Sequence, residues 1–323
     1  MTRWRPVSGP EVAAARAAML ARLRGYFVAE SVLEVDTPAL SNTAVSDVQI
    51  ESLEVRSKLS NASLYLHTSP EFCMKRLLAS GYPDIYSICR VYRDGEIGRR
   101  HQPEFTMIEW YRLNFGLKEI IADTLTAIAI ALDNPKLADD VRVIDYYNAF
   151  IDIGGIDPMQ ASIDDLANVV DADDDLRRML GDERDDWLDL ILTTRIAPSF
   201  APDELTVLQH YPASQAALAK ICSNNSSVAD RFEVFMGSLE LANGYVELTD
   251  PGIQSQRIAK DQATRELRGQ VIRPIDKMLL AALQSGLPAC AGVAMGLERL
   301  QMLHDKTDDI RNVIAFHFEA ANE

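Results

Sequence analysis

The chain has 323 residues, 47% of them hydrophobic and 25% charged, and a formal net charge of −16. That length buries a large core without staples and allows either two domains or one large unit. So acidic a balance argues against a broad nucleic-acid surface, no apolar run approaches a membrane span, and residues 1–25 hold no signal-peptide core. The cytoplasm is the expected compartment. Cys73, Cys89, Cys222 and Cys290 lie far apart without a CxxC pair, which predicts reduced thiols rather than a zinc site or disulfide framework.

Ser8-Gly-Pro-Glu11 has the spacing of a capping box and predicts a helix to about Glu30. Val12, Met19, Leu20, Leu23 and Phe27 form its apolar stripe. Val32–Leu40 reads as a short strand that Pro38 stops. Two further strand candidates lie within residues 48–66, around a polar turn at Ser57–Ser63. Ser69-Pro-Glu71 opens a helix in which Phe72, Met74, Leu77 and Leu78 can face inward.

Ile85–Arg93 and Glu104–Arg112 read as strands joined by a polar loop. Alternation in the second puts Phe105, Met107, Glu109 and Tyr111 on one face. An apolar ring, a carboxylate and a phenol in one row point to a polar ligand pocket. Residues 117–132 and 161–194 read as helices, the second group acidic and forming a solvated face. Arg231–Leu248 returns to strand, with a bulge or bend expected at Asn243-Gly244. Ala289–Gly296, small and glycine-rich, runs into a helix over Leu297–His304 that carries Arg299. No internal repeat or Pro/Ser linker divides the chain. One α+β catalytic domain over residues 1–323, with a helical insertion around 155–205, is the simplest parse.

Three segments set arginines or carboxylates beside small residues on strands: Arg93 with Arg99-Arg-His101 and Phe105; Glu233, Glu240, Asn243 and Glu247; and Gly292–Arg299. Singly each has an ordinary reading, as a surface arginine, a solvent-facing pair of glutamates or a close-packed turn. The Gly-x-x-x-Gly spacing lacks the Lys-Ser/Thr of a phosphate loop. In this order, however, the motifs resemble a known family. Cys89-Arg-Val-Tyr-Arg93 with His101-Gln-Pro-Glu-Phe-Thr106 and Glu109-Trp-Tyr111 is similar to motif 2 of class II lysyl-tRNA synthetases. Gly292–Arg299 resembles their motif 3, and Gly25–Leu40, ending at Pro38, their motif 1. Glu240-Leu-Ala-Asn-Gly-Tyr-Val-Glu247 resembles the strand that holds magnesium and the lysine side chain in those enzymes.

The resemblance implies the class II synthetase core, an antiparallel sheet flanked by helices. A helix beginning by Glu11 leaves no room ahead of it for the family's N-terminal OB-fold. The chain is therefore similar to the short paralogues that attach (R)-β-lysine to a lysine of elongation factor P. Thr68-Ser-Pro-Glu71 and Glu109-Trp-Tyr-Arg112 are shared with that group. Ala294 stands where the synthetases carry glycine and Ser69 where they carry alanine, which reshapes the pocket floor near the amino-acid backbone.

The resemblance further implies ATP and Mg²⁺ as cofactors. Arg93 and Arg299 are the catalytic candidates, with a fixed guanidinium at Arg93 for the charge developing at the α-phosphate. Glu96, Arg100, His101, Gln102, Phe105, Glu240, Leu241 and Gly296 complete the expected ATP site. Glu233 and Glu240 are hard oxygen ligands suited to Mg²⁺. For the amino acid, Ser69, Pro70, Glu71 and Ala294 line the proximal end, and Glu109, Tyr111, Asn243 and Glu247 the distal end. Two departures stand out: Arg93-Asp-Gly-Glu96 replaces the common Arg-Asn-Glu, and Gln102 replaces Asn. The expected partners are elongation factor P, (R)-β-lysine or lysine, and a second copy of the chain through motif 1, with no membrane and no tRNA. A truncated synthetase acting on RNA and a non-catalytic lysine-binding module are the alternatives.

Overall fold

The computed structural model describes residues 4–58 and 61–322. Eleven strands are present among them: β1 Leu33–Glu34, β2 Leu40–Ser41, β3 Glu54–Val55, β4 Leu64–Leu66, β5 Ile85–Tyr92, β6 Glu104–Leu113, β7 Val141–Asp145, β8 Leu205–Gln209, β9 Arg231–Met236, β10 Leu239–Val246 and β11 Cys290–Gly296. The α-helices are α1 Pro10–Ala29, α2 Glu71–Ala79, α3 Leu117–Ala131, α4 Tyr146–Ala149, α5 Ile163–Val169, α6 Asp174–Leu180, α7 Arg184–Ile191, α8 Pro251–Leu267, α9 Lys277–Gly286, α10 Leu297–His304 and α11 Phe318–Asn322. Eight strands form one sheet in the order β1-β5-β6-β11-β10-β9-β8-β7, and β2-β4-β3 form a small second sheet. Pairing within the large sheet is antiparallel except at its two edges, where β1 runs parallel to β5 and β7 parallel to β8. The α+β architecture expected of a class II core is therefore present.

The sheet's two faces differ in chemistry. One carries Tyr86, Ile108, Trp110, Val293, Ala242, Phe232 and Val234 into the main core, under α1 and α3. Phe27 of α1 stacks on Tyr86 with ring centroids 4.3 Å apart and leans on Trp110 at 5.5 Å. Aromatic contacts of this kind lock the helix in place beyond simple area burial. The opposite face carries Glu109, Tyr111, Asn243, Tyr245 and Glu233, the residues of the candidate site.

Local expectations need four corrections. Gly9, not Ser8, is the N-cap of α1, and no side chain caps it; Pro10 supplies the preset first turn instead. Within the expected stripe Met19, Leu23 and Phe27 are fully buried, whereas Val12 and Leu20 are only partly covered. The bulge in β10 lies between Glu240 and Ala242, while Asn243 and Gly244 pair regularly with Glu233 and Phe232. The polar turn at Ser57–Ser63 lies partly outside the described residues. Arg231–Leu248 is a hairpin rather than one strand, turning at Gly237, whose φ of +54° and Cβ position 3.3 Å from Pro202 Cα both favour glycine.

The helical segment expected at 155–205 is the crossover between β7 and β8, which parallel strands require. It encloses its own apolar cluster around Tyr146, Phe150, Trp187 and Ile191, seated on Leu208 and Phe235 of the sheet. Part of its acidity caps helices: Ser162 with Asp165 forms a capping box on α5, and Asp173 caps α6.

Candidate active site

The bulge in β10 sets the site's charge pattern. In a regular strand Glu240 would sit on the face opposite Asn243, because side chains alternate. The extra residue, Leu241, resets the phase: Leu239, Leu241 and Ala242 enter the core, and Glu240 joins Asn243 on the polar face. Leu241 is 2% exposed, so of this expected ATP contact only the backbone is available to a ligand. The register then builds rows across the sheet. Glu109, Ala294, Asn243 and Glu233 form one, and Tyr111, Gly292, Tyr245 and Arg231 the next.

At one end of this face stand the arginines. Arg93 lies over the Phe105 ring, 5.1 Å from its centroid, and its Nη1 is 3.8 Å from Glu96 Oε1. Glu96 therefore reaches the motif 2 arginine despite the departure in sequence around it. The buried Nε of Arg93 has no hydrogen-bond partner and is available to an anion. Arg299, three residues into α10 beyond Gly296, donates through Nη1 to Glu240 O at 2.8 Å and Oε2 at 3.1 Å. Its Nη2 lies 3.0 Å from His101 Nε2. Burial and the Arg299 charge both lower the His101 pKa, so the ring is neutral and Nε2 accepts.

Glu233 accepts from Arg231 Nη2 at 2.7 Å. Its pKa is raised to about 7, first by burial and then by the charge of Glu240. Burial opposes ionisation of Glu240 too, but Arg299, with help from Arg93, holds that carboxyl below its ordinary range. Two carboxylates that repel one another in a desolvated site are relieved by a hard cation, and oxygen donors suit Mg²⁺. The pair therefore fits the metal the fold implies, with Arg231 and Arg299 orienting the ligands.

Other expected nucleotide contacts have protein partners. Arg100 donates to the carbonyl and hydroxyl of Ser238, both at 2.9 Å, which docks the motif 2 loop on the β9–β10 turn. Arg99 pairs with Asp308. Gln102 is buried, and its Oε1 accepts from the backbone of Phe318 at 2.8 Å, so it anchors the C-terminal segment.

At the other end of the face the carboxylates gather. Glu109 accepts from Ser69 Oγ and from Tyr111 OH, each at 2.6 Å. Ser69 also accepts from the backbone of Glu71 at 3.0 Å, and Pro70 forms the N-cap of α2, fixing Glu71 at the helix start. Glu71 Oε1 accepts from Tyr245 OH at 2.8 Å and from Lys75 Nζ at 2.6 Å. Lys75 Nζ also lies 2.6 Å from Glu247 Oε2. That contact is an ion pair, and the Glu247 side chain is fully buried. Gly292 makes the approach possible, since a Cβ there would meet Glu247 Oε1 and Tyr111 Cε1 at 2.5 Å.

Burial, then the charge of Glu71, pushes Glu109 up to about 7. Burial raises Glu247 to about 8 against the pull of Lys75, with Glu71 adding to the rise. A cluster of this kind, rich in carboxylates and poor in water, has the chemistry to accept ammonium groups. Lys75 and Tyr245 belong to it and were not singled out from the sequence. Lys75 sits one helical turn after Glu71, and that i,i+4 spacing was the available signal.

A model for class II tRNA synthetases of the D, K and N group matches residues 5–319. The chain belongs to this family. Its members' core thus accounts for nearly the whole sequence, with motif 2 on β5 and β6 and motif 3 on β11 and α10. Among named relatives, the elongation factor P–(R)-β-lysine ligase of Pectobacterium atrosepticum is 39% identical over 327 residues, covering 99% of both chains. The ligase of the same name from Pseudoalteromonas translucida is 39% identical with 97% of each chain covered, and that of Salmonella gallinarum 38% identical with 98% covered. Among the described residues no helix is long and apolar enough to cross a membrane. Cys73, Cys89, Cys222 and Cys290 are free thiols in the structure. Cys222 does meet other donors, since its sulfur, His210 and Asp230 place ligand atoms within 4.8 Å of one another, and Asp145 holds the His210 ring at 2.8 Å.

Proposed function

We propose that this class II core is an ATP-dependent ligase that activates (R)-β-lysine as its adenylate and transfers it to the ε-amine of a lysine on elongation factor P. The observation that carries the reading is the cluster of Glu71, at the start of α2, with the buried Glu109 and Glu247, on the side of the sheet that also faces Arg93 and Arg299. Three clustered carboxylates suit a substrate with two ammonium groups, and an arginine pair beside an acidic pair suits a nucleotide's phosphates. The near full-length similarity to ligases of that name supports the choice among family activities.

In the first step the substrate carboxylate attacks the α-phosphorus and pyrophosphate leaves. Arg93 would stabilise the charge developing there, and Phe105 and Arg299 would hold the adenine. Mg²⁺, held by Glu233 and Glu240, would neutralise phosphate charge. Glu71 would bind the amine near the carboxylate, while Glu109, Tyr111 and Glu247 bind the distal ammonium and Asn243 orients the chain. In the second step the target lysine's amine attacks the acyl carbon, AMP leaves, and an amide forms with loss of a proton. The Ala294 methyl, opposite both Glu109 and Asn243, narrows the floor where the two lysine isomers differ. We further propose a cytoplasmic homodimer joined through motif 1, where Val28, Leu33 and Leu40 leave apolar side chains exposed.

The test is pyrophosphate exchange with ATP and Mg²⁺, comparing (R)-β-lysine, α-lysine and no amino acid, followed by transfer to elongation factor P or to tRNA. Exchange favouring β-lysine with labelling of elongation factor P is the expected result. Preference for α-lysine with labelling of tRNA would replace the reading by a truncated synthetase. Lysine binding without exchange would replace it by a non-catalytic module.

A further inference from the structure

A lysine with no exposed surface to speak of lies inside a pocket meant for lysine. The Lys75 side chain is 2% exposed and Glu247 0%, and the one ammonium spans Glu71 and Glu247 at 2.6 Å each. It also lies 5.7 Å from the centroid of the Tyr245 ring, whose hydroxyl binds the same Glu71 oxygen. A buried ammonium is costly unless it offsets opposite charge, so its position needs a reason. Nothing in the two-step chemistry uses it.

Counting charge supplies one. With every carboxylate ionised, Glu71, Glu109 and Glu247 bring three negative charges against the one positive charge of Lys75, an excess of two. We propose that Lys75 is the pocket's built-in counter-ion: by tying Glu71 to Glu247 it sets the unmet charge at two, so that an amino acid with two ammonium groups neutralises the pocket and one with a single ammonium does not. Lys75 is thus a positioning and specificity residue acting through Glu71 and Glu247. The inference rests on the lysine-activating reading above.

The same count dictates how the pocket answers to pH. With Lys75 present, the three carboxylates, its ammonium and the ligand's two ammoniums sum to zero with every carboxylate ionised. With Lys75 neutralised by substitution, the empty pocket lacks its fixed cation and holds its protons to higher pH, and the two ligand ammoniums must displace them. Affinity then keeps strengthening as pH rises past the point where the wild type levels, by up to about tenfold per pH unit for each proton released. A loss of shape alone would not create such a slope.

The experiment measures KM for (R)-β-lysine in pyrophosphate exchange, and its Kd by calorimetry, from neutral to mildly alkaline pH. Wild type, Lys75→Met, Lys75→Gln and the double variant Lys75→Met/Glu71→Gln are compared. Wild-type KM should fall and then level over this range. Both single variants should show KM still falling with pH beyond the point where the wild type levels, with kcat changed less, although Gln keeps a hydrogen-bond donor. The double variant removes one charge of each sign, so it should recover the wild-type slope even at raised KM; it also serves if the single variants do not fold. Wild-type protein should bind 6-aminohexanoate, with one ammonium, about 30-fold or more weaker than the diamino acid. Single variants that keep the wild-type pH profile, or a double variant that follows the singles, would overturn the inference. Wild type that binds β-lysine without exchange would sink the ligase reading alone, because the Kd slopes still test Lys75; absence of any lysine binding would sink both.

Discussion

The two ends of the active-site face solve opposite electrostatic problems with different degrees of burial. At the nucleotide end the side chains of Arg93, Arg299 and Glu240 keep 26%, 21% and 36% of their surface exposed. At the amine end Lys75 keeps 2% and Glu247 none. Exposed charges are screened and can adjust as phosphates arrive, whereas the buried cluster has a fixed charge and answers only through protons or a matching cation. The difference places tolerance at the nucleotide and discrimination at the amine.

The largest expected effect separates chemistry from binding. Arg93→Ala should lower the exchange rate by roughly 10²–10³-fold with β-lysine affinity little changed, because the charge it meets arises in the transition state. Equal losses in kcat and in lysine affinity would show that the two ends are not independent. Glu247→Gln should act at the other end, raising KM for β-lysine about 30-fold or more and sparing KM for ATP. Gly292→Ala, whose new methyl would press on Glu247 and Tyr111, should raise the same KM about tenfold by steady-state kinetics.

Response to pH gives the next contrast. With Glu109 raised to about 7 and Glu247 to about 8, the empty pocket holds protons that an occupied pocket must release. KM for β-lysine in the wild type should therefore fall as pH rises toward about 8 and then level. KM measured against pH checks the sign, and a KM that stays flat over this interval would mean the carboxylates are ionised before binding. Ionic strength should have the smallest effect, a few-fold rise in KM for ATP between low and physiological salt, with KM for β-lysine almost unmoved.

The same division explains what the sequence disclosed. The nucleotide end is built from runs of neighbouring residues, Arg93 to Phe105 and Gly292 to Arg299, which remain recognisable as motifs. The row of Glu109 and Tyr111 followed from strand alternation, and Glu71 from the family resemblance carried by Thr68-Ser-Pro-Glu71. Lys75 did not emerge, because its role depends on Glu71 and Glu247, which meet only after α2 is laid across β10. The bulge at Leu241 was also displaced in the reading: Asn243-Gly244 has turn-like composition, but burial of two leucines decides where the strand changes phase. Gln102 and Arg100 were expected at the ATP site by their place in motif 2, and their protein partners, on the C-terminal segment and the β9–β10 turn, were not legible because they lie far away in sequence. The helical crossover was visible as helix, while its reason, the parallel pairing of β7 with β8, was not.

The central claim is that this sheet face activates a diamino acid, and pyrophosphate exchange with (R)-β-lysine in wild type and Glu109→Gln tests it most directly. The account predicts robust exchange in the wild type, and in the variant a KM for β-lysine raised at least about 30-fold with KM for ATP preserved. Exchange in the wild type that is independent of added β-lysine or lysine, or a variant with unaltered KM for β-lysine, would contradict it.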